Sequence, residues 1–120
     1  MNVRAIRGAT TLERDDLESM IDAVCELVTE MLNANEVLHD DLISILFTST
    51  PDLISNFPAT AARELDLGDV PLICAVEVAV PGALARTVRV MAHVNSSRSL
   101  KEIKHIYLRG ATVLRKDLAQ

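Results

Sequence analysis

Arginines stand out among the residues able to do chemistry. Arg7, Arg63, Arg89 and Arg115 are spread along the chain together with Glu77, Cys74 and the single tyrosine, Tyr107. A guanidinium grips a carboxylate through two parallel N–H bonds and keeps its charge, so several arginines beside one carboxylate and one phenol suit a small dianionic ligand that carries a hydroxyl. This inventory points to an anion pocket more strongly than to catalysis. No glycine-rich phosphate loop, nucleophile elbow or zinc cluster is present. His39, His93 and His105 lack the spacing of metal ligands, so neither metal nor cofactor is expected. Cys74 falls in a strand-like run with no histidine placed beside it by the pattern, and a strand-buried thiol is usually inert.

Two of these charges sit where charge is expensive. In Val70 to Val94 two strand-like runs are joined by a short Pro81-Gly82 connection, and apolar residues occupy both parities of the first run. Glu77 is the exception there, and Arg89 lies between Val88 and Val90 in the second run. Each needs a partner: a salt bridge between neighbouring strands, a subunit interface or a polar ligand.

The elements that must position these groups are readable by period. Val3, Ala5, Arg7 and Ala9 share one parity of an N-terminal strand, in which Gly8 allows a close backbone approach. Leu17, Met20, Ile21, Val24, Leu27, Val28, Met31 and Leu32 follow the three-and-four spacing of a helical face, with Asp15 and Glu18 as its capping-box pair. A second strand covers Leu42 to Thr48. The stretch ATAAREL forms a short helix with Asn56 as cap and Pro58 in its first turn. A last long strand carries His105, Tyr107 and Arg109 on one parity. Strand, long helix, strand, short helix and three strands make an α+β layer with helices on one face of a mixed sheet. The other face, equally apolar in its central strands, requires burial against further copies of the chain, so a homo-oligomer is expected.

The 120 residues suit one domain, 1–120, with 110–120 a mobile C-terminal segment. The formal charge of −5 argues against nucleic acid or an anionic membrane as the main partner. With two isolated cysteines, no secretory signal and no apolar run long enough to span a bilayer, the expected location is cytoplasmic.

The chain resembles the monofunctional chorismate mutases of the AroH type. The likeness is carried by RGATT at 7 to 11, TPDL at 50 to 53, FPATAAREL at 57 to 65, VPLICAVEV from 70, RVM at 89 to 91 and HIYLRGATVLRKDL at 105 to 118, in unbroken order along nearly the whole chain. The resemblance implies a homotrimer: a mixed sheet related to ferredoxin-like folds assembles into a pseudo-α/β-barrel with active sites between subunits. The implied reaction is the one-step rearrangement of chorismate to prephenate, without cofactor. On matching positions, Arg89 resembles the residue that meets the ether oxygen, Glu77 the acceptor of the ring hydroxyl, and Arg7 and Tyr107 the holders of a substrate carboxylate. Phe57 and Arg63 match residues supplied by the adjacent subunit, Cys74 and Ile73 match pocket positions, and Leu114 and Arg115 match a segment that closes over the pocket. Two positions depart from the family pattern: Thr60 stands where lysine is found and Ile73 where threonine is found. Strict alternation puts Cys74 and Glu77 on opposite faces, which calls for a bulge or a local twist if both serve one site. The competing readings are a trimeric binding or regulatory module for a carboxylate metabolite and a small trimeric enamine/imine deaminase.

Overall fold

The structure, a computed structural model, describes residues 1–114. Five strands form one mixed sheet in the order β3-β2-β4-β1-β5. They are β1 (Asn2–Thr11), β2 (Leu42–Ser49), β3 (Leu72–Val76), β4 (Thr87–Ser96) and β5 (Ile106–Tyr107), with helices α1 (Leu17–Ala34) and α2 (Pro58–Ala62) between the first three. β4 pairs antiparallel with both β1 and β2, while β3 runs parallel to β2 and β5 parallel to β1. The expected element order and the helix-covered mixed sheet are observed. Of the C-terminal segment 110–120, residues 115–120, Arg115 among them, lie outside the described residues.

α1 is the amphipathic helix that the spacing predicts, burying Met20, Ala23, Val24, Leu27, Val28 and Met31. Its cap differs from the expectation. Asp16, not Asp15, is the N-cap, its carboxylate accepting from Ser19 N at 2.8 Å. Asp15 instead accepts the backbone N–H groups of Ile54 and Ser55, tying the loop before α2 to the start of α1. Asn56 does not cap α2 either: Phe57 occupies that position without a side-chain bond, and Pro58 opens the helix, where a missing N–H costs nothing.

α1 lies along β1 so closely that a Cβ at Gly8 would meet Met31 Sδ and stand 3.0 Å from Leu27 Cδ1. Gly8 therefore fixes which face is covered. Ile6 and Thr10 point to the helix with it, as do Val88, Val90, Ala92 and Val94 of β4 and Ile45 and Phe47 of β2, all buried. Arg7, Ala9, Arg89, Met91, Leu46 and Thr48 occupy the opposite, open face.

Two strand expectations need correction. The apolar run from Val70 to Val80 forms a strand only over Leu72–Val76, and β3 does not neighbour β4, because β2 lies between them. Alternation reveals parity and not partner, and a Pro-Gly break suits a hairpin equally well as a longer crossing. The last long strand is a two-residue β5 followed by a short 3₁₀ segment, Arg109–Val113, whose entry needs a positive φ at Arg109.

Gly8→Ala is expected to lower stability by about 1–3 kcal/mol through overpacking. Met31→Ala, costly by itself as a large-to-small change in the core, should cost less in the Gly8→Ala background than alone, since it removes the atom that the new methyl meets. Thermal melts at one fixed protein concentration check both.

Candidate active site

The register places the open-face residues in one row. Tyr107 of β5 pairs with Ala9 of β1, Ala9 with Arg89 of β4, Arg89 with Thr48 of β2, and Thr48 with Ala75 of β3. With strands spaced about 4.8 Å apart, Arg89 and Tyr107 stand roughly 10 Å apart across the small side chain of Ala9. Arg7 lies two residues before Ala9 on the same face. Arg7, Arg89 and Tyr107 line one cavity of about 170 Å³, with Thr48, Leu46 and Met91 contributing to its walls.

Among the described residues, two donors in this cavity are buried without an acceptor, Arg89 Nε and the Tyr107 hydroxyl. Arg89 Nε is 3.2 Å from Glu77 Oε2, but its N–H is not aligned with that oxygen, so the contact is an ion pair without a hydrogen bond. Arg7 forms no salt bridge among the described residues. Two cations and two unsatisfied donors on an otherwise apolar wall call for an anionic, acceptor-rich ligand, because a buried donor without a partner costs about 1–3 kcal/mol.

Glu77 follows the end of β3 and keeps its place because its N–H donates to Ser49 O at 2.9 Å, continuing the β3–β2 ladder. Its carboxylate accepts from Thr48 Oγ1 at 2.6 Å and meets Arg89, so Thr48 bridges the strands that carry the two charges. Thr48 is a site residue that sequence reasoning missed. The available signal was a hydroxyl within an apolar strand, on the same parity as Ser44.

Arg89 is placed by a latch at the start of β4. Thr50 and Thr87 exchange backbone and side-chain bonds, Thr50 N to Thr87 O and Thr87 N to Thr50 Oγ1, both 3.0 Å. Asp52 accepts the Arg86 N–H at 2.8 Å and the Thr50 hydroxyl, and Arg86 enters the strand at φ +48°. The Thr50 hydroxyl and, after it, the Arg86 amide hold the Asp52 carboxyl below its ordinary range, against an opposing effect of burial.

The structure separates Cys74, Phe57, Arg63 and Leu114 from this row, whereas Ile73, paired with Leu46, lies on the open face beside it. Cys74 and Glu77 do lie on opposite faces: the β2–β3 register runs without a shift from Leu72 to Val76, so no bulge reconciles them. Cys74 instead lines a second cavity with Phe57, on the other side of β3. Phe57 is 70% exposed and Ile73 66%, and Arg63 is exposed at the end of α2. Leu114 closes the last turn through its N–H to Ala111 O, away from the lining of the arginine cavity. Within one chain, then, Arg7, Glu77, Arg89 and Tyr107 come together, whereas Phe57 and Cys74 form a separate group.

Such a one-sided mixed sheet, with arginines and a tyrosine on its open face, defines a small α+β protein whose open face suits an organic anion. Comparison with known proteins narrows this class: the chorismate mutase type I pattern matches residues 3–118, and the chain belongs to that family. It is 46% identical over 117 residues to the chorismate mutase AroH of Thermus thermophilus, covering 97% of this chain and 96% of that one. To the chorismate mutase AroH of Bacillus subtilis (strain 168) it is 39% identical over 120 residues, covering 99% and 94%. The solved chorismate mutase from Clostridium thermocellum superposes with a TM-score of 0.89 at 44% identity, over 92% of this chain and 98% of that chain.

Thr48→Val keeps the strand and deletes the donor to Glu77. Turnover should fall about 5- to 30-fold, matching a lost hydrogen bond to a charged group at about 1–2 kcal/mol, with the melting temperature nearly unchanged. Asp52 predicts an acid limb in stability. Its folded pKa lies below its unfolded one, so its contribution is complete above the ordinary Asp value of about 3.9 and disappears as pH falls through the lower folded value. Asp52→Asn should therefore be less stable than wild type at pH 7, with the difference shrinking below about pH 4 in melts across that range.

Proposed function

We propose that the chain is a chorismate mutase that converts chorismate to prephenate at sites completed between the subunits of a homotrimer. The observation that carries this reading is the row Tyr107–Ala9–Arg89–Thr48, with Arg7 beside it and Glu77 paired with Arg89, in a chain that matches the family over residues 3–118. In the rearrangement one carbon–oxygen bond breaks while one carbon–carbon bond forms, in a single cyclic shift of electrons. No proton transfer or covalent adduct is required, which suits a site built from fixed charge.

Negative charge grows on the ether oxygen as its bond to the ring breaks. Arg89, already desolvated at Nε and held by Glu77, supplies positive charge to that oxygen without reorganising, and so favours the transition state over the ground state. Arg7 and Tyr107 hold the enolpyruvyl carboxylate, fixing the compact conformer in which the two reacting carbons face each other. Glu77, oriented by Thr48, accepts the ring hydroxyl.

The cavity of one chain, about 170 Å³, is smaller than the roughly 300–1,000 Å³ of a typical small-molecule pocket. This supports a wall contributed by a second copy. Phe57, Ile73, Val76, Val78 and Val80 are exposed on or beside the edge strand β3, and unpaired apolar edges of this kind are covered in assemblies. In the trimer the neighbouring copy brings Phe57 against the substrate ring, Arg63 to the mouth, and Ile73 and Cys74 to the remaining wall. Thr60 in place of a lysine leaves that mouth less basic. Both cysteines are free, which suits a reducing, cytoplasmic setting.

Purified protein should consume chorismate and form prephenate without any added cofactor. Arg89→Ala should lower kcat by about 10²–10³-fold or more. Arg63→Ala should mainly raise KM, by about tenfold, equivalent to 1.4 kcal/mol of uniform binding. Folded wild-type protein that leaves chorismate at its uncatalysed rate contradicts the reading; binding without turnover would make the chain a carboxylate-binding module.

A further inference from the structure

We infer that His105, which the rearrangement itself does not use, is a positioning residue that acts through Arg7. The inference rests on the chorismate mutase reading for its kinetic consequences, but its geometric basis is independent of it. The backbone N–H of Arg7 donates to His105 Nδ1 at 3.0 Å. On its other side β1 is secured to β4 along ten residue pairs, Asn2↔Ser96 to Thr11↔Thr87. On the β5 side the ladder holds only Gly8↔Ile106 and Ala9↔Tyr107, extended by Leu108 N to Ala9 O at 2.9 Å. Arg7 lies just before this short ladder begins, and an imidazole takes the place of the strand carbonyl that would otherwise accept its N–H.

The imidazole is itself held in place. Asn35, buried at the end of α1, donates to Lys104 O and accepts from Lys104 N, both at 2.8 Å. The residue before His105 is thus clamped to the helix, and His105 carries that constraint across to β1 at Arg7. Accepting an N–H at Nδ1 requires a lone pair there, so the neutral ring carries its proton on Nε2. Without this acceptor the β1 backbone at Arg7 is free to shift toward the edge. A shift of a fraction of an ångström at the Cα is enlarged at the end of an arginine side chain, where the carboxylate contact is made.

The test compares His105→Leu, which removes the acceptor, with His105→Asn, whose side-chain oxygen can take the place of Nδ1. His105→Leu should lower kcat/KM by roughly 10- to 100-fold, and His105→Asn should recover to within about threefold of wild type. In an Arg7→Ala background His105→Leu should cost less than about threefold more, because the group it acts through is already gone. In ¹⁵N-labelled protein the Arg7 amide proton should resonate downfield in wild type and His105→Asn and move upfield in His105→Leu. If His105→Leu does not fold, His105→Gln replaces it, with its acceptor one methylene too far out.

Equal damage in the Asn and Leu variants, wild-type kinetics in the Leu variant, or full multiplication of the Arg7 and His105 effects overturns the inference. So does an Arg7 amide resonance that ignores the substitution. Failure of wild type to convert chorismate would instead overturn the functional reading, and the amide resonance would still report on the bond.

Discussion

The absence of a side chain at Gly8 lets α1 settle directly onto β1, and the geometry of the open face follows from that contact. With Gly8 under Met31 and Leu27, alternation turns Arg7 and Ala9 away from the helix, and the ladders on either side of β1 then set which residues stand beside Ala9. β4 must show Arg89 beside Ala9, and β5 must show Tyr107 on its other side. A close-packed interior of this kind transmits position faithfully. The arginines are aimed by the burial of a helix on the opposite surface of the sheet.

The charges on that face are arranged economically. Glu77 offsets part of the positive charge of Arg89 but leaves its Nε without a hydrogen bond, and the Tyr107 hydroxyl is also unpaired. A fully satisfied pair would stabilise the chain alone and offer little to a ligand; this one keeps buried donor atoms in reserve, which in the proposed reaction face the developing anion. The cationic site belongs to a chain of net charge −5, so in the proposed function attraction of a dianion falls to local residues such as Arg63 and not to the overall field.

Much of the fold was legible because period reports burial. The stripe from Leu17 to Leu32 specified α1, and the parity of Val3, Ala5, Arg7 and Ala9 specified which residues of β1 share a face. Partner choice was not legible. Val70 to Val94 read as adjoining strands, yet β2 inserts between β3 and β4, because both central strands are apolar enough to accept either neighbour. The shortness of β5 was also hidden, since its anchoring comes from Asn35, His105 and Thr11 and leaves no periodic trace. Of the site, Glu77 and Arg89 announced themselves as charges in apolar runs. Thr48 did not, because a lone hydroxyl in a strand is ordinary. The opposed faces of Cys74 and Glu77 were correctly read from alternation, and the structure turns that conflict into a division of the site residues into two groups within one chain.

That division makes the central claim directly measurable: the two groups meet across a subunit boundary. Arg89→Ala lacks one half of the site and Arg63→Glu the other, and each should be nearly inactive at low chorismate. Unfolding the two together at equal amounts and refolding them should form mixed assemblies in which some interfaces carry both intact halves. Recovery of about one quarter of wild-type activity is the statistical expectation for random mixing in a ring of heterologous contacts. Activity that stays at the level of the separate variants, while labelled chains demonstrably exchange, would place both halves within one subunit and contradict the account.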